Sequence, residues 1–234
     1  MKRIGLIGGM SWESTAQYYR FLNQALRARR GGLHSAELLL RSLDFAPVEA
    51  WMRAGRWDAI AELLAAEARA LAAGGAELAL LTANTMHKVA PAIEAAIEVP
   101  FLHIADPTAE AARAAGCSTI GLLATAYTME QEFYVGRLSD RHGLEVLVPG
   151  ADDRRRVHEI IFEELCRGVV DDGSRETYRR VIADLVARGA QGVVLGCTEI
   201  GLLVSEADSP VPLYDTARLH AEKAIELALA GESG

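Results

Sequence analysis

The sequence predicts an α/β protein of two pseudo-symmetric lobes, each a parallel sheet flanked by helices, with the active site in the cleft between them. Three observations predict it. Short apolar runs of strand length alternate with longer stretches of helical character, the pattern of parallel sheets built by right-handed crossovers. One stretch occurs twice without a gap: Gly75-Ala76-Glu77-Leu78-Ala79-Leu80-Leu81-Thr82-Ala83-Asn84-Thr85 lies over Gly189-Ala190-Gln191-Gly192-Val193-Val194-Leu195-Gly196-Cys197-Thr198-Glu199. Other pieces return in the same order. Ile4-Gly5-Leu6-Ile7 matches Ile120-Gly121-Leu122-Leu123, and Val99-Pro100-Phe101 with Asp106 matches Val211-Pro212-Leu213 with Asp215. Lobe one is expected over 1–105, completed by 213–234, and lobe two over 106–212.

Taken in order, Ile4 to Ile7 is the first strand, and Gly8-Gly9-Met10-Ser11-Trp12 a tight turn. Ser14 is expected to cap a helix from Thr15 to Arg29, which Gly31-Gly32 stops. Leu38 to Leu40 is a strand, followed by a loop around Asp44-Phe45-Ala46-Pro47. Trp57 to Ala73, rich in Ala, Leu and Glu, is a long helix. The strand Leu78 to Leu81 runs into Thr82-Ala83-Asn84-Thr85. Met86 to Ala96 is read as helical, with Pro91 in its first turns, and Pro100 to Ile104 as a strand. In the second lobe Thr119 to Leu123 is a strand, and Thr128 is expected to cap a helix through Glu132 to Leu138. Leu144 to Pro149 alternates too little for an exposed strand and is read as buried. Helices follow over Arg156 to Arg167 and Arg175 to Arg188, then the strand ending at Cys197, then Val211 to Tyr214. Asp215 is placed to cap a final helix, Thr216 to Leu229.

Composition excludes several classes. Of 234 residues 50% are hydrophobic and 24% charged, with a formal net charge of −8 and both signs interspersed. That argues against a nucleic-acid partner. Asp152-Asp153-Arg154-Arg155-Arg156 reads as a solvated helix start. No apolar stretch reaches the length of a membrane span, and the glycine-cut start is not a signal peptide. Cys117, Cys166 and Cys197 are odd in number and widely spaced, which fits a reducing cytoplasm rather than a disulfide or zinc framework.

Candidate chemistry gathers at the two repeated strand ends. Loops after parallel strands hold ligand sites in open α/β sheets, and Cys197 stands in one of them; the equivalent position in the first copy is Ala83. A small buried Cys is otherwise an ordinary core residue. Glu199 beside Cys197, and Asn84 and Thr85 in the first copy, add polar contacts. His87 reads equally as an acid–base group or as a structural residue opening a helix. Gly8 and Gly9 lack the Gly-x-Gly-x-x-Gly spacing of a dinucleotide site, although such a turn can offer N–H groups to a carboxylate. His34, His103, His142, His158 and His220 show no metal-ligand spacing, and no serine-hydrolase elbow is present.

Three motifs carry a family resemblance: Ile4-Gly5-Leu6-Ile7-Gly8-Gly9-Met10-Ser11-Trp12-Glu13-Ser14-Thr15, Asn84-Thr85-Met86-His87-Lys88, and Gly196-Cys197-Thr198-Glu199-Ile200. With Phe101-Leu102-His103-Ile104-Ala105-Asp106 and Tyr127-Thr128-Met129-Glu130-Gln131 between them, the chain resembles the aspartate/glutamate racemases over nearly its whole length. The resemblance implies a racemase that needs no cofactor and no metal, acts on aspartate and/or glutamate as its small-molecule amino-acid substrate, and forms a homodimer. One reactive group from each lobe would flank the α-carbon, since inversion takes an acid and a base on opposite faces. It implies Cys197 as one of them. Met10, Met52, Arg53, Thr82, Asn84, Thr85, Thr198 and Glu199 would line the substrate, with Arg53 suited to a side-chain carboxylate. The departure is Ala83, where the family carries Cys or Thr. Three readings follow: an engineered Cys-to-Ala variant, a stand-in by Thr82 or water, or one-sided chemistry as in the related arylmalonate decarboxylases. A non-catalytic amino-acid-binding protein is the alternative outside catalysis.

Overall fold

The computed structural model describes residues 1–231 and divides into two compact units, Met1–Ile104 with His220 onward, and Ala105–Leu219. Residues 232–234, included in the expected completion of lobe one, lie outside the described residues. The first unit contains β1 (Ile4–Gly8), α1 (Trp12–Arg30), β2 (Leu38–Ser42), α2 (Phe45–Arg53), α3 (Trp57–Ala73), β3 (Leu78–Leu81), α4 (Ala90–Glu94) and β4 (Phe101–Leu102). The second contains α5 (Ala105–Ala114), β5 (Thr119–Leu123), α6 (Ala126–Glu130), α7 (Glu132–Gly136), β6 (Glu145–Leu147), α8 (Ala151–Glu163), α9 (Asp172–Ala187), β7 (Val193–Leu195), α10 (Ile200–Leu203) and β8 (Leu213–Asp215). The last helix, α11 (Thr216–Leu229), starts in the second unit and continues in the first.

Each unit holds a four-stranded, wholly parallel sheet with the same order, β2-β1-β3-β4 and β6-β5-β7-β8. The central strands β1, β3 and β7 are buried throughout and β5 nearly so, as strands covered on both faces must be. Leu22 and Leu26 of α1 with Ile60 and Leu64 of α3 fill the first core; Val157, Ile160, Val181 and Leu185 fill the second.

The repeat persists at the level of single hydrogen bonds. At the end of α3, Ala76 N donates to Leu71 O at 3.0 Å; at the end of α9, Ala190 N donates to Leu185 O at 3.0 Å. Gly75 and Gly189 sit in these turns at φ 92° and 107°, a conformation open to glycine and strained for other residues. Glu77 N then bonds Arg3 O at 2.8 Å, and Gln191 N bonds Thr119 O at 2.9 Å, setting the register of β3 beside β1 and of β7 beside β5.

Several local expectations are corrected. The cap of α1 is Ser11, whose hydroxyl accepts from Ser14 N at 3.3 Å, so the helix starts at Trp12. The stretch after Asp44 is not a loop but α2, where Asp44 Oδ1 accepts from Ala46 N at 3.2 Å. Pro47 falls in the first turn of α2, where a missing N–H costs no intrahelical bond. Residues 85–96 begin as a 3-10 turn, Thr85–Val89, and only Ala90–Glu94 is α-helical, with Pro91 near its start. The Leu144–Pro149 run forms an edge strand, β6, half exposed because it has β5 on one side only. Thr128 lies inside α6; Thr125 precedes that helix, and the chain restarts at Glu132. Asp215 caps α11 as expected, its Oδ1 accepting from Ala217 N at 3.0 Å and Arg218 N at 3.1 Å.

Candidate functional site

In both sheets the strand order reverses between the first strand and the third, β1 and β3 in one, β5 and β7 in the other. Ligands in open α/β sheets bind outside the carboxyl ends of the strands at such a reversal. That rule selects the loops after β1 and β3 in the first unit and after β5 and β7 in the second.

In the first unit the two loops are stitched together. Gly9 N donates to Thr15 Oγ1 at 2.8 Å, Ser14 Oγ donates to Thr82 O at 3.1 Å, and Thr15 Oγ1 lies 3.3 Å from Thr82 Oγ1. Thr82 continues the ladder through its N–H to Ile7 O at 3.0 Å, and its hydroxyl donates to the same carbonyl at 3.2 Å. Gly9 has φ 90°, and a Cβ there would stand 2.2 Å from Leu43 O, so only glycine lets the turn close onto the segment after β2. The Met10–Ser11 peptide is cis, and Met10 is buried. Ala83, Asn84 and Thr85 are buried at the end of β3.

His87 resolves its two readings. Its Nδ1 lies 2.9 Å from Ala83 O, and its Nε2 accepts from Ile104 N at 3.2 Å. The bonding fixes a neutral ring protonated on Nδ1 and spans two backbone segments, the work of a structural residue. His103 packs edge-on against it, 4.4 Å between centroids. His220 is equally occupied, with Nδ1 2.8 Å from Tyr18 Oη and Nε2 2.9 Å from Leu102 O. At the end of α2, Met52 is buried while Arg53 turns outward and pairs with Glu49 one turn back.

In the second unit Gly196 N donates to Leu123 O at 2.7 Å, the counterpart of the Thr82 bond to Ile7. Beyond it the chemistry changes. Cys197 Sγ donates to Glu199 Oε2 at 2.9 Å, and Thr198 Oγ1 donates to the same oxygen at 2.8 Å. Glu199 is 3% exposed. Burial pushes the Cys197 thiol well up, and the Glu199 carboxylate and Cys166 push it further, so at neutral pH the sulfur carries its proton.

Sequence reasoning missed several groups in the second unit beside the thiol or near the β5 loop. Cys166, in a 3-10 turn after α8, is raised by burial and by the Glu199 charge, so it shares the Cys197 surroundings. Tyr178 of α9 is fully buried, and the charges of Cys197, Glu164, Cys166 and Glu199 all bear on its hydroxyl. Ser174, one turn earlier, donates to Glu164 Oε2 at 2.6 Å. At the β5 loop, His158 Nδ1 accepts from Ala126 N at 3.2 Å, and burial lowers its pKa against the opposing charges of Glu130 and Glu159. Helical periodicity marks Tyr178 as core and gives no sign of what its hydroxyl faces. Among the described residues no cluster of His, Cys, Asp and Glu could hold a metal ion, and no helix is long and apolar enough to cross a membrane.

Comparison with known proteins agrees with this fold. A candidate Asp/Glu racemase from Yersinia pestis has a crystal structure matching 98% of this chain and 100% of its own at TM-score 0.91 and 52% identity. An aspartate racemase homologue from Pyrococcus horikoshii matches 97% of this chain and 99% of its own at TM-score 0.83 and 35% identity. A glutamate racemase from Shewanella loihica is 27% identical over 156 residues, 62% of this chain, and the match spans only 56% of that relative's length. The profile of the Asp/Glu/hydantoin racemase family matches residues 7–224. With two like parallel sheets and a thiol held on a buried carboxylate at a strand end, the chain belongs to the Asp/Glu/hydantoin racemase family.

Proposed function

We propose that the protein acts without a cofactor on the α-carbon of aspartate or glutamate, with Cys197 as the acid–base group on one face. The observation that carries the reading is the Cys197–Glu199 bond at the end of β7, in a chain of this family. For Cys197 to act as base, its proton passes from Sγ to Glu199 Oε2, leaving a thiolate and a neutral carboxylic acid. The thiolate then takes the α-proton: the Cα–H bond breaks, an S–H bond forms, and the electron pair moves into the substrate carboxylate as an enediolate. In the reverse sense the Cys197 thiol protonates the planar carbon. Backbone N–H groups of the Gly8–Ser11 turn, with Asn84, Thr85 and Thr198, would hold the carboxylates and meet the developing charge. Met10 and Met52 would form apolar walls, and Arg53 would turn from Glu49 to the side-chain carboxylate.

The second reactive group that the family resemblance implies would fall at position 83. Alanine there has no proton to exchange, and the Thr82 hydroxyl already donates to Ile7 O. The chain as it stands therefore handles the α-proton from one side, and racemises slowly unless water serves the other. Ala83 also favours a second reading, delivery of a single proton to a carbanion as in a decarboxylase. We place the protein as a homodimer in the cytoplasm, an assembly that sedimentation would test.

The deciding experiment follows the α-hydrogen of L- and D-aspartate and L- and D-glutamate by NMR in deuterium oxide, with chiral chromatography alongside. Exchange of one enantiomer without inversion is the expected result. No exchange with any of the four, but binding of them, would make the protein a binder; turnover of an arylmalonate would make it a decarboxylase.

A further inference from the structure

A cleft of about 370 Å³ opens in the second unit where α10, β8 and the first turn of α11 meet, and the proposed reaction does not use it. Every residue lining it belongs to that unit. Its size suits a small ligand. Leu195, Val204 and Leu213 give it apolar walls, while Glu206, Asp215 and Arg218 bring charge to it. The two oxygens of Asp215 have different work. Oδ1 accepts from Ala217 N at 3.0 Å and from Arg218 N at 3.1 Å, which caps α11. Oδ2 takes no hydrogen bond among the described residues. Gly201 of α10 faces that idle oxygen: a Cβ there would stand 3.2 Å from Oδ2, so the glycine leaves it approachable from the cleft.

A largely buried carboxylate with one idle oxygen is short of a cation. Burial raises the Asp215 pKa, and the N–H groups at the start of α11 and the Arg218 charge offset only part of that. An ammonium group on Oδ2 would supply the missing charge. Arg218 lies three residues on, on the same side of the first turn of α11, and its guanidinium suits a carboxylate set next to that ammonium. Ammonium and carboxylate side by side are the backbone end of an α-amino acid. Glu206, whose Oε1 accepts from Leu213 N at 3.3 Å, adds a negative charge to the lining that disfavours an acidic side chain on the ligand. A metal ion would want a third acidic or imidazole ligand, and among the described residues no such cluster exists. We infer that this cleft is a second binding site, for a free α-amino acid with a small apolar side chain. The ammonium sits on Asp215 Oδ2, the carboxylate on Arg218, and the side chain against Leu195, Val204 and Leu213. The inference does not depend on the reading of Cys197.

The test is isothermal titration calorimetry with L-valine and L-leucine. Saturable binding of one molecule per chain is expected, and excess L-aspartate should not displace it. Asp215→Asn keeps an acceptor for the two N–H groups of α11 but removes the charge. A hydrogen bond to a charged group is worth roughly tenfold or more in the equilibrium, so this variant should bind leucine at least about tenfold more weakly. Gly201→Ala, which sets a methyl group against Oδ2, should weaken it in the same direction. Isopentylamine and 4-methylpentanoate each lack one of leucine's two charges, and each should bind the wild-type chain at least about tenfold more weakly than leucine. These analogues decide the matter even if a variant does not fold. No saturable binding of either amino acid overturns the inference, as does a folded Asp215→Asn protein that binds leucine as wild type does. Displacement by aspartate would put leucine at the reactive site instead and overturn it too. Isopentylamine binding as tightly as leucine would make the cleft an amine site and overturn the amino-acid assignment.

Discussion

The loops after β3 and β7 share a frame and differ in what their side chains address. After β3, Thr82 donates to Ile7 O and His87 bonds Ala83 O, so the polar groups serve the backbone. After β7, Cys197 and Thr198 both donate to one buried carboxylate oxygen of Glu199, so side chains serve each other. The first arrangement fixes a shape, because a main-chain carbonyl neither gains nor loses a proton. The second allows a proton to move over a short distance between two titratable groups, and burial makes the position of the charge matter. An inherited backbone thus carries chemistry only where its side chains are paired with one another.

The sharpest way to break this comparison is to exchange the chemistry between the loops. Cys197→Ala should abolish α-proton exchange, while Ala83→Cys should raise racemisation by about 10²–10⁴-fold, the usual worth of a general acid or base. Chiral chromatography of aspartate and glutamate reads both. If the chain as given racemises as fast as Ala83→Cys, the loop after β3 is not chemically silent and the contrast fails.

The scaffold role of the first loop predicts a stability effect instead. His87→Ala strands the Ala83 carbonyl and the Ile104 N–H in a buried place, which should cost about 2–4 kcal/mol in urea denaturation. A change below about 0.5 kcal/mol, the level of a surface substitution, would deny His87 that role.

A third test asks whether paired charges elsewhere in the second unit behave as structure. Asp106 accepts from Arg137 at 2.7 Å twice and lies 2.9 Å from His142 Nε2. Burial works to raise its pKa, but the bonds from Arg137 and His142 and the nearby charges win, and the folded value is lowered. A group lowered on folding stabilises above its unfolded pKa and loses that contribution as pH falls through the folded value. The stability gap between wild type and Asp106→Asn should therefore be full at neutral pH and close in acid below the ordinary carboxylate range. A gap independent of pH would remove the ion pairs from the explanation. Smallest of all, Arg53→Ala should change stability by less than about 0.5 kcal/mol, because its pair with Glu49 is exposed; a rise in KM without a change in kcat would locate Arg53 on the substrate.

The frame was legible in the sequence because duplication writes the same turn chemistry twice: Gly75 and Gly189, Leu71 and Leu185, and the apolar strands between. Central strands show as unbroken apolar runs, and an acid before a helix, Asp215, shows as a cap. What was not legible depends on partners far along the chain. Ser11 and Ser14 are both good caps by composition, and only the placement of Thr82 O, which takes the Ser14 hydroxyl, leaves Ser11 to cap the helix. Leu144 to Pro149 reads as buried by its own residues, but burial of β6 is set by having a neighbour on one side alone. Of the site, the Cys197 loop stood out by its motif, whereas Tyr178 and Cys166 reach it through tertiary packing that leaves no periodic trace.

The division of α11 has a consequence for how the chain is made. The first unit needs His220, which holds Tyr18 and the Leu102 carbonyl, and it needs the Ala228 carbonyl, which accepts from Lys2 N at 2.8 Å. On a ribosome adding roughly 5–20 residues each second, the earliest residues to emerge must wait for nearly the last before their unit is finished. The second unit, continuous from Ala105 to Leu219, has every residue it needs before then. The half of the molecule that is born first is the half that is completed last.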